Sequence, residues 1–402
     1  MKNLVIITHD DWESYSGGVS RFIREIAPRL SRFFKVTVIV TVWREKEELL
    51  SISPTLEIVY LPGFRIPRTS IEVPRLSKKV IQYLEKGDLI FVQTLENLHP
   101  YRLALKMKKK TVLFFHSLDW DNVVSSLNMK KLNYLLSPLV KFFWGYWYKK
   151  ADHICLPSPS FVQYLEREKV DVPYTHVPLG VDVEKFFPIS HQKSIRQELG
   201  LDPNLIFIGF VGRLFPEKNI DLLFEIFSQI YKKYPQVRLL LIGKGYKKYE
   251  QQAQNEAGVV WKGYQENVVP YLQAMDIYCQ PLFHTETTSL STLEAMACGL
   301  PVVVNAIGCP KEYIQNEENG FLIDPPNDIS QFVHTIERLI RHPELRIKIG
   351  VKARESIVNR FSWEETTTIL KNLFNETLLS PRVKVPQLIS SKNSLSLEGG
   401  DF

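Results

Sequence analysis

Short apolar runs rich in β-branched residues recur along the chain, and between them lie stretches whose apolar positions repeat every three or four residues. The first half carries "LVIIT", "VTVIV", "LIFVQ", "TVLFFH" and "HICLPS"; a second series runs through "LIFIGFVG", "VRLLLIG", "VVWKG", "DIYCQPL" and "PVVVN". Strand-like runs alternating with helix-like segments predict βαβ units wound around parallel sheets. Between the two series stands "VPLGVDVEKFFPISHQKS", rich in turn formers, which reads as a hinge. The expected architecture is α/β: two doubly wound, Rossmann-like domains facing each other across a cleft. The first takes residues 1–180 and the second 181–362. A final helix over 363–379 is expected to return to the first domain. Residues 380–402, polar and poor in aromatics, read as disordered.

A length of 402 residues suits two cores better than one. No apolar run approaches the ~18 residues a membrane span needs, and "MKNLVIITHDD" meets paired aspartates too early for a secretory leader. Cys155, Cys279, Cys298 and Cys309 show neither CxxC spacing nor metal-ligand neighbours. Together these point to a cytoplasmic protein with reduced thiols. Charge changes the picture more. Residues 1–180 hold 26 lysines and arginines against 18 acidic residues, whereas the remainder hold 24 against 26. A basic first half suggests an anionic partner, either a membrane surface or a phosphorylated substrate. No nucleic-acid motif is present, so nucleic acid is not expected.

Four stretches carry candidate chemistry. Gly17 and Gly18 in "SYSGGVSRFIREI" precede an amphipathic segment, so they are either a plain turn or bare amides aimed at an anion. In "FVGRLFPEKNIDLLFEIF", Arg213 follows a strand and Lys218 precedes a helix. Both cations would stand at the carboxyl edge of a parallel sheet, where such folds bind ligands. A planar fork beside a point charge suits a diphosphate, although surface cations are commonly just solvated. Gly243 and Gly245 in "LLLIGKGY" either admit a planar base to the backbone or make an ordinary turn. Lastly, "HTETTSLSTLEAMACGLPVV" buries Glu294 in an apolar helix eight positions after Glu286. With Ser289 as N-cap, the amides from Leu290 onward would face the cleft. A carboxylate accepts several hydrogen bonds from sugar hydroxyls, so Glu294 reads as a ribose ligand and Glu286 as a hexose ligand. Two glutamates at this spacing mean little alone.

Taken together, "GGVSRF", "VPLGVDVEKF", "GFVGRLFPEKNIDLL", "LLLIGKGY", "TETTSLSTLEAMACGLPVVVN" and "NGFLIDP" resemble the retaining glycosyltransferases of family 4, which have the GT-B fold, over roughly residues 1–375. The resemblance implies a nucleotide-diphosphate sugar as co-substrate, with no cofactor. Arg213 and Lys218 would take the diphosphate, Glu294 the ribose and Glu286 the transferred sugar, while Gly17 and Gly18 would close on the diphosphate. His116 matches a histidine that contacts the sugar. The chain departs from the pattern at Thr287, Thr288 and Ser289, where the family often has glycines, which puts the phosphate cradle in doubt. No DxD appears in the donor-binding half, so no metal is expected. Front-face departure and attack would let the leaving phosphate oxygen take the acceptor proton, leaving Asp119 at most an orienting role. A sugar epimerase and a non-catalytic nucleotide-sugar-binding module are the competing readings.

The acceptor would be a lipid or a glycan. Residues 122–151 contain no acidic residue, and "KFFWGYWYKK" within them is dense in aromatics and lysines. If helical, this segment either lies in the headgroups of an anionic membrane, which would make the protein peripheral on the inner face, or packs on the first sheet with its lysines solvated.

Overall fold

A computed structural model describes residues 1–9, 11–13, 18–44, 47–65, 72–74, 78–93, 98–116, 143, 145–282 and 289–381. The first lobe is built from β1 (Asn3–Thr8), α1 (Gly18–Leu30), β2 (Lys35–Arg44), β3 (Glu48–Ser53), β4 (Leu56–Arg65), β5 (Glu72–Pro74), α2 (Lys78–Lys86), β6 (Leu89–Val92), α3 (Leu98–Lys106), β7 (Lys110–Phe114), β8 (His153–Leu156), α4 (Val162–Arg167) and β9 (Tyr174–His176). The second contains α5 (Gln192–Glu198), β10 (Ile206–Val211), α6 (Ile220–Lys233), β11 (Val237–Ile242), α7 (Lys247–Asn255), β12 (Val259–Trp261), α8 (Val269–Ala274), β13 (Ile277–Gln280), α9 (Leu290–Ala297), β14 (Val302–Asn305), α10 (Pro310–Tyr313), β15 (Phe321–Ile323), α11 (Ile329–Arg341) and α12 (Pro343–Arg360), followed by α13 (Trp363–Leu379).

Each series of apolar runs becomes one sheet. The first runs β3-β4-β2-β1-β6-β7-β8-β9, with β5 on β4; the second runs β12-β11-β10-β13-β14-β15. The second sheet is parallel throughout. In the first, among the described residues, only the β3–β4 and β4–β5 pairings are antiparallel. Strands covered on both faces need no polar alternation, which is why β6, β13 and β14 are buried along their whole length. Strand order reverses between β1 and β6 in one sheet and between β10 and β13 in the other. Ligands in open parallel sheets bind at the carboxyl ends beside such reversals.

The C-terminal helix α13 returns to the first lobe. Trp363, Leu370, Leu373 and Phe374 pack with Phe22, Phe34 and Phe91, and Glu364 pairs with Arg29 of α1 and Arg32 of the turn after it. The chain therefore passes between the lobes twice, and the two passes are joined where the Val181 amide donates to the Phe361 carbonyl at 2.7 Å. Residues 382–402 lie outside the described residues.

Candidate active site

The site is assembled around α9. Glu294 is 3% exposed, in a helix whose neighbours Leu293, Ala295, Met296 and Ala297 are all core. Its partner comes from the other lobe: the Arg21 guanidinium, in the first turns of α1, forms an ion pair directly with the Glu294 carboxylate. Arg21 also lies 5.4 Å over the Phe186 ring. Burial pushes the Glu294 carboxyl above the usual range, while Arg21 most strongly, and Lys185 after it, pull it back. A buried carboxylate without such a partner would take up a proton.

α9 is held from three sides. At its start, Ser289 stands at the N-cap but makes no side-chain cap hydrogen bond. Its hydroxyl instead donates to Gln280 Oε1 at 2.6 Å, as does Thr292 Oγ1 at 2.6 Å. Ser289 thus holds the N-cap position that its sequence context suggests, but without a capping hydrogen bond from its side chain. The first amides of a helix have no intrahelical partner, and here the Ser289 hydroxyl does not take one. At the other end, Arg354 of α12 donates to the carbonyls of Ala297 and Val183, both at 2.9 Å, tying α9 to the segment that carries Lys185. On its flank α12 packs against α9, and just past the end of α9 there is no room for a methyl group: a Cβ at Gly350 would lie 2.0 Å from the Gly299 carbonyl oxygen. Alanine in a helix normally gains about 1 kcal/mol over glycine. At position 350 overpacking against backbone should outweigh that gain, for a net loss of about 1–3 kcal/mol. Thermal unfolding of Gly350→Ala should show a lower Tm than the parent; a higher one would mean that the α9–α12 contact yields readily.

The loop after β10 carries the two candidate cations. Arg213 is exposed and lies 5.1 Å over the Phe215 ring. Lys218 ends a short 3₁₀ turn, Pro216–Lys218, followed by Asn219 in the left-handed conformation with φ 54°. Asparagine tolerates that region better than most residues. An asparagine chain fixes the loop: Asn219 Nδ2 donates to Asn327 Oδ1 at 2.9 Å, and Asn305 Nδ2 donates to the same oxygen at 2.8 Å and to the Leu282 carbonyl at 2.7 Å. The loop after β10 and the end of the β13 segment are thus braced by one network, beside the strand-order reversal. Gly243, with φ +135°, uses its freedom within the protein itself, since a Cβ there would meet the Gly212 carbonyl oxygen at 1.9 Å.

On the first lobe, His116 follows β7 and is buried. Its Nε2 sits 2.8 Å from Gln93 Oε1. The ring stacks on Phe114 at 4.3 Å and meets the edge of Phe22 at 5.1 Å. Burial first, and His9 second, hold its pKa down to about 3, so His116 stays neutral at working pH and can act as a hydrogen-bond partner but not as an imidazolium. Phe22 and Arg21 are adjacent on α1, so one helix reaches both His116 and Glu294. Gly18 opens that helix, and among the described residues nothing beyond its chain neighbours and its own helix backbone lies within 4 Å of where its Cβ would be.

Gly17, Asp119, Glu286, Thr287 and Thr288 lie outside the described residues. Among the described residues no cluster of three or more histidines, cysteines or carboxylates could hold a metal ion, and no helix is long and apolar enough to cross a membrane. All four cysteines are buried and free. Of the lysine–aromatic segment, Tyr148 is buried and Trp147 packs partly against the core, whereas Phe143 and Tyr146 are exposed. Sequence reasoning missed Arg21, Gln93, Gln280, Asn305 and Arg354.

Two family models match in tandem: Glycosyltransferase Family 4 over residues 16–185, and Glycosyl transferases group 1 over residues 191–356. D-inositol 3-phosphate glycosyltransferase of Segniliparus rotundus is 31% identical over 210 residues, which is 50% of this chain and 45% of that protein. The chain thus spans about half the length of that relative. Alpha-monoglucosyldiacylglycerol synthase of Acholeplasma laidlawii is 24% identical over 308 residues, 72% of this chain and 76% of that one. Among solved structures, Anabaena HepE in complex with UDP and glucose superposes with a TM-score of 0.74 at 17% identity, covering 94% of this chain and all of that one. That likeness establishes the GT-B fold, and with one family model on each lobe the chain belongs to the family 4 (group 1) glycosyltransferases.

Proposed function

We propose that this glycosyltransferase moves a hexose, with retention of configuration, from a nucleoside-diphosphate sugar to a lipid or glycan acceptor. The observation that carries this reading is the meeting of α1 and α9 at Glu294, with the Arg213–Lys218 loop following β10 at the strand-order reversal of the second sheet. In this reading Glu294 accepts from the ribose hydroxyls, and the amides of Leu290 and its neighbours, with those beside Gly17 and Gly18, face the diphosphate. Arg213 and Lys218 meet the negative charge that grows on the diphosphate as the bond to the anomeric carbon breaks. The acceptor oxygen bonds to that carbon on the face the diphosphate leaves, and its proton passes to the departing phosphate oxygen, so no separate base is needed. Glu286 and neutral His116 orient the sugar hydroxyls. Positive charge from side chains and helix-end amides takes the place a divalent ion would have, so activity should persist in chelator. The name of one relative, a glycolipid synthase, supports a lipid acceptor, whereas that of another points to an inositol phosphate, which is neither lipid nor glycan.

A panel of nucleotide sugars, assayed for transfer and hydrolysis with and without extracted lipids, tests the proposal. Transfer to an added acceptor is expected. Turnover without any acceptor would point to an epimerase, and binding without turnover to a non-catalytic module.

A peripheral place on anionic membrane follows from the basic first half and the exposed Phe143, Tyr146 and Lys149. Each basic residue near such a surface adds about 1 kcal/mol, and salt screens that part but not inserted rings. Vesicles with anionic lipid should therefore bind the protein better than neutral ones. Because Trp147 packs inward, Phe143→Ser with Tyr146→Ser is the variant expected to lose the salt-resistant fraction in co-sedimentation. No binding at low salt would favour a soluble acceptor.

A further inference from the structure

The Glu294 carboxylate is shared between lobes: everything around it on α9 belongs to the second lobe, yet the cation that touches it comes from α1 of the first. Other charged and titratable groups facing it are Lys185 from the segment between lobes, Glu25 one turn along α1, Tyr278 of β13 and Cys298 at the end of α9. Glu25 is itself engaged by Arg29 at 2.7 Å. Burial raises the Tyr278 hydroxyl far above neutrality and the Cys298 thiol to about 12, so neither titrates between pH 6 and 9. Arg21 is thus the strongest influence opposing the burial of Glu294.

We propose that Arg21 is a positioning residue of the donor site: from the opposite lobe it holds Glu294 in the ionised form that accepts the ribose hydroxyls, so the ribose site is complete only when α1 meets α9. The inference rests on the assignment of Glu294 to the ribose. An ionised carboxylate offers two acceptor oxygens, and its hydrogen bonds are about twice as strong as neutral ones. A buried carboxyl that loses its cation binds a proton instead and gives up part of that capacity. Without Arg21 the Glu294 carboxyl therefore moves further up. Donor affinity then falls where the carboxyl is protonated and recovers as pH rises through its raised value.

The test is calorimetric titration with the better bound of UDP and GDP, from pH 6 to 9, for the parent, Arg21→Met, Arg21→Lys and Glu294→Gln. Taking each affinity relative to the parent at the same pH removes the titration of the diphosphate itself. Arg21→Met should bind about ten-fold more weakly than the parent near pH 6.5, and the gap should close toward pH 9. Arg21→Lys, which keeps the charge, should restore most of the affinity and the flat ratio. In the Glu294→Gln background, Arg21→Met should add no pH dependence. If Arg21→Met does not fold, Arg21→Gln removes the charge while keeping a hydrogen bond and carries the same expectation.

Tighter binding by Arg21→Met would overturn the proposal, because it would mean that Arg21 merely occupies the carboxylate and is displaced by ribose. A weaker but pH-independent ratio would also overturn it, leaving Arg21 a purely structural contact. If Glu294→Gln binds like the parent, the ribose assignment itself fails. That outcome differs from a failure confined to Arg21, in which Glu294→Gln weakens binding and Arg21→Met shows no pH dependence.

Discussion

Arg213→Ala and Lys218→Ala should each lower kcat by about a hundred-fold or more, with kcat/KM falling at least as far. Removing one preorganised donor aimed at developing charge costs roughly 10²–10³ in rate in well-studied cases. Both side chains belong to the β10 loop, which the Asn219–Asn327–Asn305 network braces. Charge on the diphosphate is greatest once the glycosidic bond has largely broken, so the cations bind the transition state better than the ground state. A loss in kcat, and not only a rise in KM, is the signature of that difference. Arg213→Lys should recover only part of the rate, because a point charge does not reproduce a planar two-donor fork. The measurement is steady-state kinetics with donor varied at saturating acceptor, repeated in chelator. Two variants with near-parental kcat, or an enzyme silenced by chelator, would remove these residues from the chemistry and assign the charge to a metal.

Glu294→Gln should weaken donor binding by roughly ten- to a hundred-fold, the equivalent of about 1.5–3 kcal/mol for a hydrogen bond to a charged group. Glutamine keeps the shape and one acceptor oxygen, so α9 should still pack against α12 and still present an acceptor to Arg21. The variant is therefore expected to fold like the parent while losing the charge. Titration with nucleoside diphosphate, next to a thermal melt, separates the two roles. Parental affinity would show that the ribose does not bind there. A collapsed melt would show that the Arg21–Glu294 pair is mainly a structural tie between lobes.

The parallel strands, the two lobes and the GT-B architecture were legible because burial on both faces writes itself as continuous apolar runs, and "LIFIGFVG" or "PVVVN" can hardly be anything else. The strands β3, β4, β5, β9 and β15 escaped notice, and β15 is only three residues long. "SISPTLEIVYLPGFRIP" is interrupted by prolines and turn residues, and β9 is three residues long with exposed ends. The burial of Glu294 could be read from its neighbours, but its cation could not. Arg21 looks like any basic residue on an amphipathic helix until the fold brings α1 to α9. The same holds for Gln280, which fixes the start of α9, for Arg354, which fixes its end, and for Gln93, which contacts the His116 ring. Each makes its contact with a residue distant in sequence and carries no local motif. Ser289 does take the N-cap position that the local pattern predicts, but its hydroxyl turns to Gln280 instead of a helix amide.

NMR of the reaction mixture observes directly the bond that is made. The enzyme, an α-linked nucleoside-diphosphate hexose and a lipid or glycan acceptor are followed through the anomeric proton. Loss of the donor signal in step with a new glycoside of the same α configuration is the predicted result. A β-linked product, or donor consumed with no glycoside formed, would contradict it.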